Sequence, residues 1–268
     1  MKKSLSVFLI SVVILNLFTV KSIYAKDNHR YESGGSNHSH QIFCSNAFNI
    51  LCNDFGRENI QPILNDKYVI VISSDLPDKD EKDNLYSSHF YNPYSGKSYL
   101  AGFLKGSKEN AYKKYREHLN NALDNYKSNH EYAITELGRS LHYFQDINEP
   151  HHVANLTAAN STHYFYEKYV DNRNYDLLID HSSKYNEYKD YRFKEFADMI
   201  FVKSAKYAYS FSSVVNNPIL YLTGDRWFEA AKSTTDNMQQ YMAALIYRFY
   251  EEVGEVVSPA FCIHKSSS

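Results

Sequence analysis

Apolar residues return at steps of three and four along most of the chain, and that period limits what it can fold into more than any other feature. Ile42, Phe43, Ala47, Ile50, Leu51 and Phe55 mark the buried face of one helix. Tyr112, Tyr115, Leu119, Ala122, Leu123 and Tyr126 mark a second, and Ile134, Leu137, Leu141 and Phe144 a third. Phe193, Phe196, Ala197, Ile200, Phe201, Ser204 and Tyr207 mark another; Met238, Tyr241, Met242, Leu245, Ile246 and Phe249 close the series. Only YVIVIS (68–73) has the β-branched content of a strand, and it is short and isolated. The pattern predicts an all-α fold: a single compact multi-helix domain.

The breaks are equally readable. SSDLPDKDEKDN (73–84) reads as a charged loop and YNPYSGKSY (91–99) as a turn-rich one. NEPHHVANLTAANST (148–162) reads as a long connection, a length that usually carries function or lacks order. At the front, Lys2 and Lys3 precede a largely apolar run from Leu5 to Val20, with small residues near Ala25. That is the form of a secretory signal peptide over 1–25, too short to be a membrane span of roughly 20 apolar residues. The expected domain then runs over 26–257, with a short tail at 258–268, and the protein is expected to be secreted.

Lysine and arginine total 29 against 31 acidic residues. No built-in field for nucleic acid or anionic membrane follows from that balance. The 25 tyrosines and 16 phenylalanines supply the core material. Of three cysteines at least one stays unpaired. Cys44 and Cys52 fall on one expected helix about 12 Å apart, too far to bridge; Cys262 in the tail is left open. Without a disulfide framework, another kind of staple is wanted.

LHYFQDINEPHH (141–152) and STHYFYEKYV (161–170) offer one. His142 and Asp146 stand four apart, and so do His163 and Glu167, which puts each pair on one helix face roughly 6 Å apart at the side-chain roots. Such a pair is a surface ion pair or half of a metal site. Two pairs flanking a connection that carries His151 and His152 favour the metal. Imidazole with carboxylate suits zinc, and metal affinity is folding free energy.

LGRSLHYFQDINEPHHVANLT, THYFYEKYV and SSHFYNPYSGKSYL together resemble the zinc-dependent bacterial phospholipases C, a family of secreted phosphatidylcholine-cleaving enzymes that includes clostridial α-toxin. The likeness runs from about Asn37 to Gly254, and its core, H-Y-F-x-D-I-x-x-P-x-H-x-A-N-x-T, is long and specific. The resemblance implies a compact helical domain with about three zinc ions in one cleft. It assigns one zinc to His152, His163 and Glu167, with His152 rather than His151 as the ligand. A second falls to Asp78, His89, His142 and Asp146. The third falls to His40, a bridging Asp146 and the mature N-terminus, which is Lys26 if cleavage follows Ala25. Asp78 or Asp146 would orient the nucleophile, and Tyr86 would face the head group.

Three departures stand beside the likeness. The family's mature chain begins with tryptophan, whereas the single tryptophan here is Trp227; His29 or His38 is an alternative donor for the third site. The residue after the loop aspartate is commonly tyrosine but here is Lys79, which puts a choline preference in question. The chain stops before the C-terminal lipid-binding β-sandwich of the large toxins, so membrane contact is expected from the catalytic domain's own loops. Asn155-Leu156-Thr157 has the form of a glycosylation sequon and reads as part of the ligand connection.

The expected function is a secreted zinc-dependent phospholipase C, a monomer acting on phospholipid at a membrane surface. Its products would be diacylglycerol and a phosphorylated head group, and a haemolytic or toxin-like action falls within the same resemblance. A zinc nuclease of the same fold is the alternative; near-neutral charge speaks against a nucleic-acid partner. A catalytically lapsed, metal-stabilised binding protein is the third reading.

Overall fold

A computed structural model describes residues 38–100, 109–222 and 225–256. The signal segment, Lys26, His29 and Cys262 lie outside the described residues. The elements are helical throughout: α1 Ser39–Phe55, α2 Gln61–Ser73, α3 Leu76–Asp80, α4 Asp83–Tyr86, α5 Ala111–Asn125, α6 His130–Asp146, α7 Pro150–Ala154, α8 His163–Asp171, α9 Phe193–Tyr209, α10 Ser212–Val215, α11 Pro218–Leu222 and α12 Asp225–Glu252. Among the described residues the only β pairing is an isolated bridge, Asn92 to Lys97. No helix of the described residues is long and apolar enough to cross a membrane.

The strand-like segment 68–73 is the last part of α2. Ile63, Asp66, Ile70 and Ser73 are its buried residues, a helical spacing, while Tyr68 is 74% exposed. Tertiary packing along one stripe outweighs the weak strand preference of Val69, Ile70, Val71 and Ile72. The charged loop of 73–84 is likewise partly helical, with α3 and the start of α4 inside it, and α7 lies inside the 148–162 connection. Each has a proline near its start, Pro77 in α3 and Pro150 in α7, where the missing N–H costs nothing.

Helices α5 and α6 form an antiparallel hairpin, α6 packs on α2, and α12 packs on α1 and α9. Their side chains close into one core, in which Phe43, Tyr115, Phe144, Phe201, Tyr241 and Phe249 are completely buried. Tyr207, counted above on the apolar stripe of α9, is 41% exposed. Asparagines cap both helices of the hairpin: Asn110 accepts from the Lys113 amide and Asn129 from the Tyr132 amide.

One glycine decides how close α6 comes to α2. A Cβ on Gly138 would lie 2.5 Å from the Ile70 carbonyl oxygen and 2.6 Å from Ser73 Cβ. Only glycine permits that approach, and one turn further along α6 the same contact brings His142 Nδ1 to 2.9 Å from the carbonyl of Ser74.

Candidate metal centre

His142 and Asp146 face inward from the last turn of α6, at 0% and 1% exposure. The Ser74 carbonyl can only accept a hydrogen bond, so it takes the proton on His142 Nδ1 and turns Nε2 into the protein. Around that nitrogen lie His89 Nδ1 at 3.0 Å, Asp146 Oδ2 at 3.2 Å and Asp78 Oδ1 at 3.6 Å. His89 Nδ1 is also 2.9 Å from Asp146 Oδ2 and 3.5 Å from Asp78 Oδ1. These four donors arrive from α3, the turn Ser87–His89 and α6.

Their spacing allows a direct test of fit. Tetrahedral zinc with bonds of about 2.0–2.2 Å sets neighbouring ligand atoms roughly 3.3–3.6 Å apart. The five separations above, 2.9 to 3.6 Å, bracket that range. Nitrogen and carboxylate oxygen are also the right donors for this ion. The residues fit zinc.

A second cluster adjoins the first. His163 Nε2 is 2.8 Å and His152 Nε2 3.4 Å from Glu167 Oε1. Yet neither ring nitrogen of His163, nor Glu167 Oε1, meets the alignment of a hydrogen bond. Buried polar groups close together but aimed past one another are what a shared ligand site leaves. Phe90 walls this cluster off, stacking on His152 at 4.6 Å and meeting His163 edge-on at 5.9 Å.

His40, at the start of α1, defines a third cluster with His142 and Asp146. Its Nε2 is 3.8 Å from Asp78 Oδ2 and 4.0 Å from Asp146 Oδ1. Asp146 thereby joins all three, because its Oδ1 also lies 3.4 Å from His152 Nδ1. His38, the alternative donor, turns elsewhere: its Nδ1 is 2.9 Å from Asp75 Oδ2.

The electrostatics follow from burial and neighbours. Burial and the adjacent His142 push His40 down to about 4, so it sits there neutral. Burial opposes a proton on His142, but Asp146 and Asp78 outweigh it and lift the group to about 9. Burial works against the Asp146 charge too, and His142, His89 and His152 still hold its carboxyl well below the usual range. Any metal entering must displace protons from this cluster.

Several contributors escape the sequence pattern. Glu149 is grouped with His152 and His163, its Oε2 3.9 Å from His163 Nε2. It also caps α7, accepting the His152 amide at 2.8 Å. An acid directly before Pro150 is a helix-start signal that could have revealed it. His151 lies outside the clusters but is fully buried, with Nδ1 2.8 Å from Glu149 Oε1 and Nε2 3.1 Å from Thr162 Oγ1. The histidine next to His152 is thus a pin between α7 and the start of α8. Asn155 closes α7 in the left-handed region, φ 58°, and donates to the Lys97 carbonyl.

Tyr86 sits in the left-handed region as well, φ 65°, with its ring 5.6 Å from that of His89. Lys79 turns back toward Asp75, 3.9 Å away, and stays 45% exposed. Cys44 and Cys52 are free thiols, and burial pushes Cys44 up to about 12, which makes it inert.

An all-α domain that gathers histidines and carboxylates into three adjoining buried clusters has the donors of a metal-dependent protein with nitrogen and oxygen ligands. The chain belongs to the zinc dependent phospholipase C family, whose family model matches residues 39–211. It is 29% identical to a phospholipase C of Clostridium perfringens over 252 residues, 83% of this chain and 61% of the relative. With the phospholipase C of Clostridium novyi the identity is 26% over 278 residues, 94% of this chain and 67% of the relative. A 100-residue stretch, 37% of this chain and 34% of the relative, is 34% identical to a phospholipase C of Bacillus cereus. The alpha toxin of Clostridium absonum shares the fold at a TM-score of 0.74, over 87% of this chain and 68% of that one, with 23% identity. This chain thus spans 61% of the length of the Clostridium perfringens relative.

Proposed function

We propose that the protein is a secreted phospholipase C that holds about three zinc ions and cleaves phospholipids to diacylglycerol and a phosphorylated head group. The observation that carries the proposal is the set of nitrogen and oxygen donors around Asp146, spaced as tetrahedral ligands are. Family membership supports the reaction class, and the leader-like segment 1–25 supports export.

Asp78, His89, His142 and Asp146 would hold one zinc, and His152, His163 and Glu167 another. His40 and Asp146 would hold the third with the amino terminus of a chain processed to Lys26. Bound zinc supplies Lewis acidity toward a phosphoryl oxygen and lowers the pKa of water within reach. Asp146 has both oxygens directed at histidines, so its part is to keep them in place. Asp78 also turns both oxygens toward histidines, but at the longer distances of 3.5 to 3.8 Å and with 7% exposure against 1%, so it is the carboxylate we assign to orienting the attacking water. Tyr86 would meet the head group at the rim. Lys79, the residue after Asp78, turns back toward Asp75 at 3.9 Å, where its charge is partly met.

The test is hydrolysis of phosphatidylcholine, phosphatidylethanolamine, sphingomyelin and single-stranded DNA, each with and without chelator, by natively secreted monomer. Chelator-sensitive release of diacylglycerol is the expected result. Cleavage of DNA alone would make the protein a nuclease, and inertness of a zinc-loaded sample on every substrate would make it a binding protein.

A further inference from the structure

Behind the first cluster lies a group of charges that the ligand set does not use. Glu81 ends α3, the short helix that carries Asp78. Arg139 Nη1 lies 2.6 Å from Glu81 Oε1, and His118 Nε2 lies 3.0 Å from the same oxygen. Tyr143 donates its hydroxyl to Oε2 at 3.0 Å, and Lys114 Nζ lies 3.1 Å from it. Arg139 also reaches back to Asp80, Nη1 to Oδ1 at 2.9 Å. Four donors from α5 and α6 thus converge on one carboxylate.

Buried ionic groups are weak evidence for stability, because desolvation offsets much of their attraction. The position of the Glu81 backbone supplies another reason for them. Its carbonyl oxygen is 3.4 Å from His89 Nε2. A carbonyl only accepts, so the proton sits on Nε2 and the Nδ1 lone pair faces Asp146 and Asp78. The outer nitrogen of a metal-bound imidazole is commonly held by such a carbonyl, which sets tautomer and ring angle. Arg139 stands three residues before His142, so α6 carries His142 and Asp146 directly and reaches Asp78 and His89 through Glu81.

We propose that Glu81, clamped by Arg139, His118, Tyr143 and Lys114, is a positioning residue that fixes the His89 tautomer and the place of Asp78, and so tightens the metal site that α6 shares with α3. The proposal rests on the ligand assignment made above for Asp78 and His89.

The experiment follows zinc release from the fully loaded protein to a chromophoric chelator, with the absorption spectrum of the cobalt-substituted protein as a second readout. Glu81→Ala is expected to speed the loss of one zinc equivalent about 10–100-fold and to change the cobalt ligand-field bands, leaving the other equivalents unaffected. Glu81→Gln keeps an acceptor oxygen and should recover part of the loss. Arg139→Gln, which removes one arm of the clamp and leaves the Glu81 carboxylate its other three donors, is expected to show the same single fast phase and serves if Glu81→Ala does not fold. Tyr250→Phe is the control: it removes the buried hydroxyl bonded to Asp66 at 2.6 Å, a bond that involves no proposed ligand and no member of the clamp, and should lower Tm with release unchanged. A Glu81→Ala or Arg139→Gln protein with lowered Tm but wild-type release and spectrum overturns the proposal. Asp78→Asn separates the two levels. If it keeps its full zinc, the ligand assignment fails; if it loses zinc while the Glu81 variants do not, only the positioning role fails.

Discussion

The two main clusters are built in opposite ways. Asp78, His89, His142 and Asp146 come from separate parts of the chain, with 64 residues from Asp78 to His142. The backbone fixes the outer nitrogens of both histidines, through the carbonyls of Ser74 and Glu81. His152, His163 and Glu167 come from one local connection, with 11 residues from His152 to His163. There the ring nitrogens of His163 have no aligned hydrogen bond. With a metal bound, the first cluster would be a preorganised cross-link of the whole domain and the second a clip on one loop. A metal in each should therefore do different work. Closing the longer loop removes more freedom from the unfolded chain, by about 1.5 kcal/mol on a logarithmic length dependence.

Asp146→Ala should have the largest effect, because it strikes the residue that belongs to two clusters and borders the other. It leaves His89, His142 and His152 without the carboxylate they face. Zinc content should fall by more than one equivalent, and activity by several kcal/mol of transition-state stabilisation, roughly a thousandfold. Elemental analysis and initial rates check both. Retention of two or more zinc ions would break the picture of Asp146 as the joint.

His163→Ala should do less to the fold and as much to one metal. The zinc of the local clip should be lost, with Tm dropping less than for Asp78→Ala by the loop-length difference above. Its signal is unusually clean, since Trp227, the chain's single tryptophan, packs against Tyr166 and Tyr169 of α8 at 5.3 and 5.7 Å. Tryptophan emission should change in this variant and stay constant in Asp78→Ala. The reverse pattern would invert the contrast between cross-link and clip.

Gly138→Ala tests the first cluster from behind. The added Cβ meets backbone, not a flexible side chain, so α2 and α6 must part. Overpacking of this kind costs about 1–3 kcal/mol. The Ser74 to His142 hydrogen bond should lengthen with it, weakening the zinc at α6 while the zinc at α8 is held as before. Thermal unfolding and stepwise zinc release report the two effects separately.

What can be read from the bare sequence tracks what is periodic. His142 and Asp146, and His163 and Glu167, show themselves because a helix places positions four apart on one face. The five long apolar stripes show themselves for the same reason, and they mark α1, α5, α6, α9 and α12. Asp78 and His89 have no such period: they stand in a charged stretch and a turn, and only a family motif points to them. Nothing local marks Glu81, because its contacts come from residues 33 to 62 positions away. The end of α2 is hard to read for a further reason, its β-branched run, since a helix buried on one stripe and a strand look alike over six residues.

The smallest expected effect is a pH dependence of the clamp, and its sign follows from His118. Burial opposes a proton on this ring, but Glu136 and Glu81, each with an oxygen 3.0 Å from a ring nitrogen, raise its pKa above the ordinary value. Arg139 and Lys114 also face the group across Glu81, and Tyr143 stacks on it at 5.7 Å. A histidine whose folded pKa is raised stabilises the fold fully below about 6.5 and loses that contribution as pH rises through the higher folded value. Burial likewise opposes the charges on Glu81 and Glu136, yet His118 and its neighbours hold both carboxyls low. Their contribution is present above about 4.5 and fades as pH falls through the lower folded value. The zinc-loaded protein should therefore lose Tm from neutral toward alkaline pH, at roughly 2–4 °C for each kcal/mol. His118→Gln should flatten that alkaline limb, whereas His163→Ala should leave it in place. In zinc-loaded protein the ligand histidines do not titrate over this range, so a limb that survives His118→Gln would place the titrating group outside the clamp.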